Sequence, residues 1–329
     1  MSGKISLELG SGGRLMREFI AGRIVKAFRD PLLRELGDAA LLPEGIAFTT
    51  DSYVVDPLVF PGGDIGRLAV NGTVNDLVVS GARPRFLSLA LILEEGLDEE
   101  VLDRVIRSVR AAARAAGVRV VTGDTKVVRR GQGDKVYINT AGVGVSVARP
   151  SPERIRRGDK IILTGTLGDH SLAVMLARGD FGLSSNVKSD CAPLLFLLPL
   201  WKKGARWMRD VTRGGLATVL FELAERLPYP VLIEEDRIPL SRPVQAASEL
   251  LGIDPLYMAC EGKAVVVAPA AKAEAFLRSV RGHPLGRRAA IIGEVQGRVG
   301  RPGELLLRTT AGGLRLLEPL TSELLPRIC

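Results

Sequence analysis

Residues 85–128 read RFLSLALILEEGLDEEVLDRVIRSVRAAARAAGVRVVTGDTKVV, and this stretch decides the fold class. Within 97–116, Leu97, Val101, Val105, Val109 and Ala112 recur every three or four residues, which is the apolar stripe of an amphipathic helix. Asp98 is placed to cap its start and Gly117 to end it, because a short carboxylate accepts from the first turn's N–H groups and glycine adopts the left-handed stop without strain. The flanking runs 85–93 and 118–128 are short, apolar and rich in β-formers, so both are predicted strands. Strand, helix, strand in immediate succession points to a mixed α/β chain.

The pattern extends in both directions. A helix is predicted over 15–29, stopped before Pro31, and another over 64–80, where Ala69 and Gly72 permit close packing. Strands are predicted at 46–55 and 136–147, the latter reached through the polar loop 129–134. Arg149-Pro-Ser-Pro152 then marks a boundary. Beyond it come strands at 161–164, 231–234, 263–267, 289–295 and, last, 304–308. Helices are expected at 171–177, 191–202, 215–226, 241–251 and 270–280. The expectation is two α/β domains, 1–150 and 151–317, followed by a mobile tail over 318–329.

Composition narrows the function. The chain has 329 residues, 46% hydrophobic and 25% charged, which is ordinary for a soluble globular protein. No apolar run approaches the ~20 residues of a membrane span, and residues 1–10 lack the apolar core of a secretory leader. Three cysteines far apart argue against a disulfide framework and fit a reducing cytoplasm. The net charge of +8 is spread among 37 acidic residues, with only 5% aromatics, so neither nucleic-acid nor membrane binding is expected. With two histidines, His170 and His283, soft-metal chemistry lacks ligands; a metal here is expected to be a hard cation held by carboxylates.

Five segments set aspartate at or beside a strand end or turn: Asp38, Asp51, Asp76 (after Asn75), Asp124 and Asp210. One such aspartate is an ordinary turn former; five suggest carboxylates gathered on Mg²⁺ and, through it, on phosphates. Glycine-rich stretches at Gly10-Ser11-Gly12-Gly13, Gly165-Thr-Leu-Gly168 and Arg213-Gly214-Gly215 could present backbone N–H groups to an anion. None is a Walker A loop or a G-x-G-x-x-G fingerprint. Lys126 follows Asp124 by two and shares its strand face, while Glu261 precedes a buried-looking strand. Both are candidates for acid–base work or for plain ion pairs. Cys191 and Cys260 sit among apolar residues and are expected to be core fillers. Cys329, the last residue, is instead placed as a nucleophile on an arm.

Together these segments resemble the hydrogenase maturation proteins of the HypE type, carbamoyl dehydratases within the superfamily of aminoimidazole ribonucleotide synthetase and selenophosphate synthetase. The matching pieces are Gly10–Gly13, Thr50-Asp51-Ser-Tyr-Val-Val-Asp-Pro57, Gly72-Thr-Val-Asn-Asp76, Ile92-Leu-Glu-Glu-Gly96 and Thr122-Gly-Asp-Thr-Lys-Val-Val128. In the second half they are Gly165-Thr-Leu-Gly-Asp-His170, Asp210-Val-Thr-Arg-Gly-Gly215, Glu261-Gly-Lys263 and Pro326-Arg-Ile-Cys329. Ser171 and Val211 depart from the family, which often carries glycine and a small residue or proline there.

The resemblance implies a homodimer whose N-terminal domains pair into a shared β-barrel with ATP at the interface. It implies Asp38, Asp51, Asp76 and Asp210 as Mg²⁺ ligands, Asp124 close by, and Lys126 and Glu261 acting on a modified Cys329. A partner carbamoyltransferase would load the thiol, ATP-dependent dehydration would give a thiocyanate, and an iron-carrying maturation complex would receive the cyanide. A tail extended from Glu318 could span roughly 40 Å. Two other readings are a selenophosphate synthetase, whose N-terminal reactive cysteine is missing here, and a non-catalytic ATP-binding scaffold.

Overall fold

The computed structural model describes residues 4–10, 13–179, 181–297, 299–320 and 327–329. They form two compact units, each assembled from separated chain segments. One comprises Asp38–Arg149, Asp169–Lys202 and Arg327–Cys329; the other comprises Met1–Gly37, Pro150–Gly168 and Lys203–Pro326.

In the first unit a five-stranded sheet runs β1 (Ala40–Leu41), β2 (Ile46–Tyr53), β7 (Val136–Ser146), β5 (Ala82–Glu94) and β6 (Arg119–Val128) across its width; β3 (Val59–Phe60) and β4 (Gly63–Asp64) form a separate hairpin. β5 and β6 are parallel because the helix Glu99–Ala116 carries the chain back between them. That helix is capped as expected: Asp98 accepts from the Glu100 N–H and Gly117 is left-handed. The helix Ile65–Val79, capped by Asp64, covers one face of β2, β7 and β5. Among the described residues, the opposite face is left open to solvent. Phe48, Val143 and Phe86 stand in one cross-strand row, with Ile46 and Val145 in a neighbouring one, and Ile46, Phe48, Phe86 and Val145 are all exposed.

The second unit holds a seven-stranded sheet, ordered β14 (Leu314–Leu316), β13 (Leu305–Arg308), β10 (Val231–Glu234), β12 (Ala290–Val295), β8 (Lys160–Leu163), β11 (Ala264–Ala268) and β9 (Trp207–Asp210). β11 is buried along its whole length, so it reads as a continuous apolar run rather than an alternating one. Ile161, Leu163, Val265 and Val267 pack with Leu216, Leu220 and Leu223 of the helix Gly215–Ala224. Ile162 and Val266 are equally buried on the other face, where the helix Ala273–Arg281 meets β8 and β12.

Three sequence readings are corrected. The helix expected over 191–202 is a 3-10 turn, Leu195–Leu197, leading into Leu198–Lys202; Pro193 keeps the residue before it out of helical geometry. β14 follows the strand expected to be last, whereas Asp210 does stand at a strand end, closing the short strand β9. The first helix is interrupted by a π-helical stretch, Ile20–Val25.

Candidate active site

The first unit brings Asp38 and Asp76 together beside helix Ile65–Val79, and Asp51 meets Thr73 of the same helix. Carboxylate oxygens of Asp38 and Asp76 lie within 4.8 Å of one another. Thr49 Oγ1, on β2, is 2.8 Å from Asp76 Oδ2 and 2.7 Å from the Asp38 carbonyl. A hydroxyl has one proton and can serve only one of these acceptors at a time. Asp51 Oδ2 accepts from Tyr53 Oη and Thr73 Oγ1, each at 3.3 Å. Two half-buried carboxylates this close repel unless a cation or proton lies between them. The donors are all oxygen, which suits Mg²⁺ and no soft metal.

Asn75 has a different neighbourhood. Its Nδ2 donates to the Ala192 carbonyl at 3.1 Å and its Oδ1 accepts from Leu194 N–H at 2.8 Å. Arg67 and Asn71, two turns and one turn back on the same face, reach Cys191 O at 3.0 Å and Cys191 Sγ at 3.5 Å. Cys191 is a core filler there, as expected.

β6 presents Asp124 and Lys126 on one face, with Lys126 Nζ 2.8 and 2.7 Å from the two carboxylate oxygens. The Lys126 hydrogen bond, with help from the Thr125 N–H, holds the Asp124 carboxyl below its usual range. The pair is well exposed, so little stability rests on it.

In the second unit Asp210, Glu261 and Gly165 come together at one end of three strands. β9 and β11 pair Asp210 with Ala264, and Thr164 at the end of β8 exchanges two hydrogen bonds with Ala264. Asp210, Glu261 and Lys263 are all buried there. The stem of Lys263 fills the space that a Cβ at Gly165 would need. Cys260, wholly buried, accepts from Gly168 N–H at 3.3 Å, as a small apolar filler does.

A few residues on, Gly214 (φ 73°) and Gly215 (φ 64°) open the helix Gly215–Ala224. Arg213 Nη1 donates to the Gly10 carbonyl at 3.3 Å, so two of the glycine-rich stretches meet. Gly13 caps the helix Arg14–Phe19; Ser11 and Gly12 lie outside the described residues. A Cβ on Gly215 would sit 2.5 Å from Leu256 O and 2.6 Å from Tyr257 C. Gly215→Ala is therefore expected to cost about 2–4 kcal/mol, from left-handed strain and backbone overlap together. Thermal unfolding measures it, and an unchanged midpoint would contradict the packing.

Cys329 is not on an exposed arm in this structure. Ile328 and Cys329 are 3% and 8% exposed. Val54 N–H donates to Cys329 O and Asp56 N–H to Arg327 O, both at 3.3 Å, an antiparallel pairing with the chain just past β2. His170, fully buried, touches Ile328 O through Nε2 at 2.9 Å.

The chain matches the family models for the AIR synthase related protein over residues 36–146 (N-terminal domain) and 156–301 (C-terminal domain). It is 46% identical to the carbamoyl dehydratase HypE of Rhodobacter capsulatus, with 99% of this chain and 98% of the relative aligned. The chain belongs to the HypE carbamoyl dehydratase family. The HypE of Escherichia coli K12 is 44% identical, with 99% of each chain covered. A HypE structure in complex with ATP superposes with TM-score 0.83 at 45% identity, covering 99% of this chain and all of that one. One from a HypE–HypF complex gives TM-score 0.86 at 41% identity over 92% and 99%. Among the described residues no helix is long and apolar enough to cross a membrane.

Sequence reasoning missed Thr49, within reach of Asp38 and Asp76, Ser189, which meets His170 Nδ1 at 2.8 Å, and Arg178, which donates to the Asp56 and Arg327 carbonyls. Hydroxyl and guanidinium groups at such positions carry no spacing signal. His170 and Lys263 were visible only inside longer motifs.

Proposed function

We propose that this chain converts a carbamoyl group on Cys329 to a thiocyanate at the expense of ATP, and so supplies cyanide ligands to [NiFe] hydrogenase. The observation that carries the reading is a thiol at the last position, packed into the unit that holds the Asp38–Asp76 carboxylate pair. This occurs in a chain alignable end to end with HypE relatives. We further propose that the chain works in the cytoplasm.

The site suits Mg²⁺ and ATP. Carboxylates of Asp38, Asp51, Asp76 and Asp210 would hold the metal; Gly10, Gly13, Gly165, Arg213, Gly214, Asn75 and Asp124 would line the nucleotide site, with Ser11 and Gly12. When bound, Mg²⁺ supplies positive charge against the phosphoryl oxygens. The N-terminus of Gly215–Ala224 adds backbone N–H donors, favourable to anions.

The chemistry runs in two stages. The Cys329 thiolate attacks a carbamoyl donor supplied by a partner carbamoyltransferase, forming an S–C bond and releasing the donor's leaving group. The thiocarbamate oxygen then takes the γ-phosphoryl group of ATP, leaving ADP, because hydroxide is a poor leaving group and phosphate a good one. Two N–H protons depart in all, one with phosphorylation and one as the C–O bond breaks, giving S–C≡N and inorganic phosphate. Glu261 serves as base for the nitrogen protons, and Lys126 positions the oxygen or phosphate. An iron-carrying maturation complex takes the cyanide.

Intact-mass measurement after incubation with ATP, carbamoyl phosphate and the partner carbamoyltransferase tests the reading. A carbamoyl gain followed by loss of water is expected. A thiol left unmodified in an ATP-binding chain would return the reading to a scaffold.

The open sheet face of the first unit favours a homodimer in which two such sheets close a barrel. An apolar patch of this kind rarely stays in water, and β6, paired on one side only, exposes Val121 at 52% and Val127 at 70%. Phe86→Asp removes one large contact per copy, and each buried Phe is worth about 1.5–3 kcal/mol. The dimer's Kd should rise about a hundredfold or more in sedimentation; an unchanged Kd would place the interface elsewhere.

A further inference from the structure

The last three residues are held by more than main-chain pairing. Each of their carbonyl oxygens has its own donor. Cys329 O takes the Val54 N–H. Ile328 O takes His170 Nε2 at 2.9 Å. Arg327 O takes Arg178 Nη2 at 2.5 Å as well as the Asp56 N–H. His170 and Arg178 stand at the two ends of one helix, Asp169–Arg178. Arg178 Nε also donates to Asp56 O at 2.6 Å, so a single guanidinium ties the two paired segments together. Arg327 in turn donates to Val54 O at 2.8 Å and pairs with Asp134.

The tautomer of His170 follows from its partners. A carbonyl only accepts, so Nε2 carries a proton. Nδ1 lies 2.8 Å from Ser189 Oγ, which can donate to it. Burial disfavours the charged ring and lowers the His170 pKa, although nearby Asp190 opposes this. Neutral His170 thus uses one nitrogen on Ser189 and the other on the tail, with the Phe60 ring edge-on at 5.4 Å. The ring is a donor fixed in orientation, and it points at the peptide immediately before Cys329.

We infer that His170 and Arg178 are positioning residues that seat the tail through its 327 and 328 carbonyls, and so fix the Cys329 thiol for the dehydration stage. This rests on the function proposed above. Loading by a partner needs the thiol out of its seat; dehydration needs it in. Weakening the seat therefore moves the two stages in opposite directions, whereas simple damage to the fold slows both.

The test uses the full chain with iodoacetamide, following alkylation of the Cys329 peptide by mass spectrometry; buried Cys191 and Cys260 serve as internal controls. His170→Leu should speed Cys329 alkylation about tenfold, the factor given by losing one such hydrogen bond. His170→Gln keeps a donor for Ile328 O and an acceptor for Ser189, and should stay close to the parent rate. Arg178→Met, at a half-exposed site, should also speed it. Carbamoyl loading should then hold or rise while dehydration falls. Parent-like alkylation in both His170→Leu and Arg178→Met overturns the seat, as does a Gln variant as exposed as the Leu one. Faster alkylation in a chain that never dehydrates its thiocarbamate would keep the seat and sink the proposed function instead.

Discussion

Cys329→Ala is expected to abolish both mass changes, the carbamoyl gain and the loss of water, while leaving the melting temperature close to that of the parent chain. The expectation separates chemistry from packing. Cys191 and Cys260 are buried in the two units, so neither thiol can stand in for the lost one. Removing a single sulfur from a tripeptide anchored by backbone and guanidinium hydrogen bonds changes little of its attachment. The loss should be complete, because in the proposed reaction the Cys329 sulfur is itself the atom that bears the carbamoyl group. Carbamoylation persisting on the alanine variant would place the acceptor elsewhere.

Glu261→Gln should stall the reaction at the thiocarbamate. The substitution keeps size and hydrogen-bonding capacity at a site that is only 3% exposed, but glutamine cannot take a proton. General bases contribute about 10²–10⁴-fold, so dehydration should slow by that factor while loading of Cys329 stays unaffected. Intact mass then shows the carbamoyl adduct accumulating in the presence of ATP. Normal cyanation by this variant would move the base role to another group. Lys126→Gln should spare loading too.

The parts of the structure legible in the sequence are those set by local rules. Asp98 and Gly117 bracket the helix of the first unit because a cap and a left-handed stop are properties of a few adjacent residues. The buried strand β11 was legible as an apolar run. Asp124 and Lys126 share a face because a strand alternates. What was hidden depends on partners distant in sequence. β9 is four residues long and owes its strand geometry to β11. The 191–202 segment looked helical by composition, yet its first residues serve helix Ile65–Val79 with backbone groups, which a helix would consume. The seating of Arg327–Cys329 was unreadable for the same reason: backbone carbonyls, not side chains of the tail, make most of its bonds.

That seam between helix Ile65–Val79 and residues 191–201 has a consequence for biosynthesis. Arg67, Asn71 and Asn75 are answered by Cys191, Ala192 and Leu194, and the Val78 carbonyl by Trp201 Nε1 at 2.9 Å. A nascent chain passes through β8, which belongs to the other unit, before those partners emerge from the ribosome. Until then the amides of Asn71 and Asn75 are left to water, and the helix face that residues 191–201 will cover stays open. The first unit can therefore reach its final packing only after roughly fifty more residues have been added beyond its sheet, at synthesis rates of about 5–20 residues per second. Throughout that wait the sheet's other face, with Phe48 and Phe86, also stays open to water, so newly made chains have two apolar surfaces to shield rather than one.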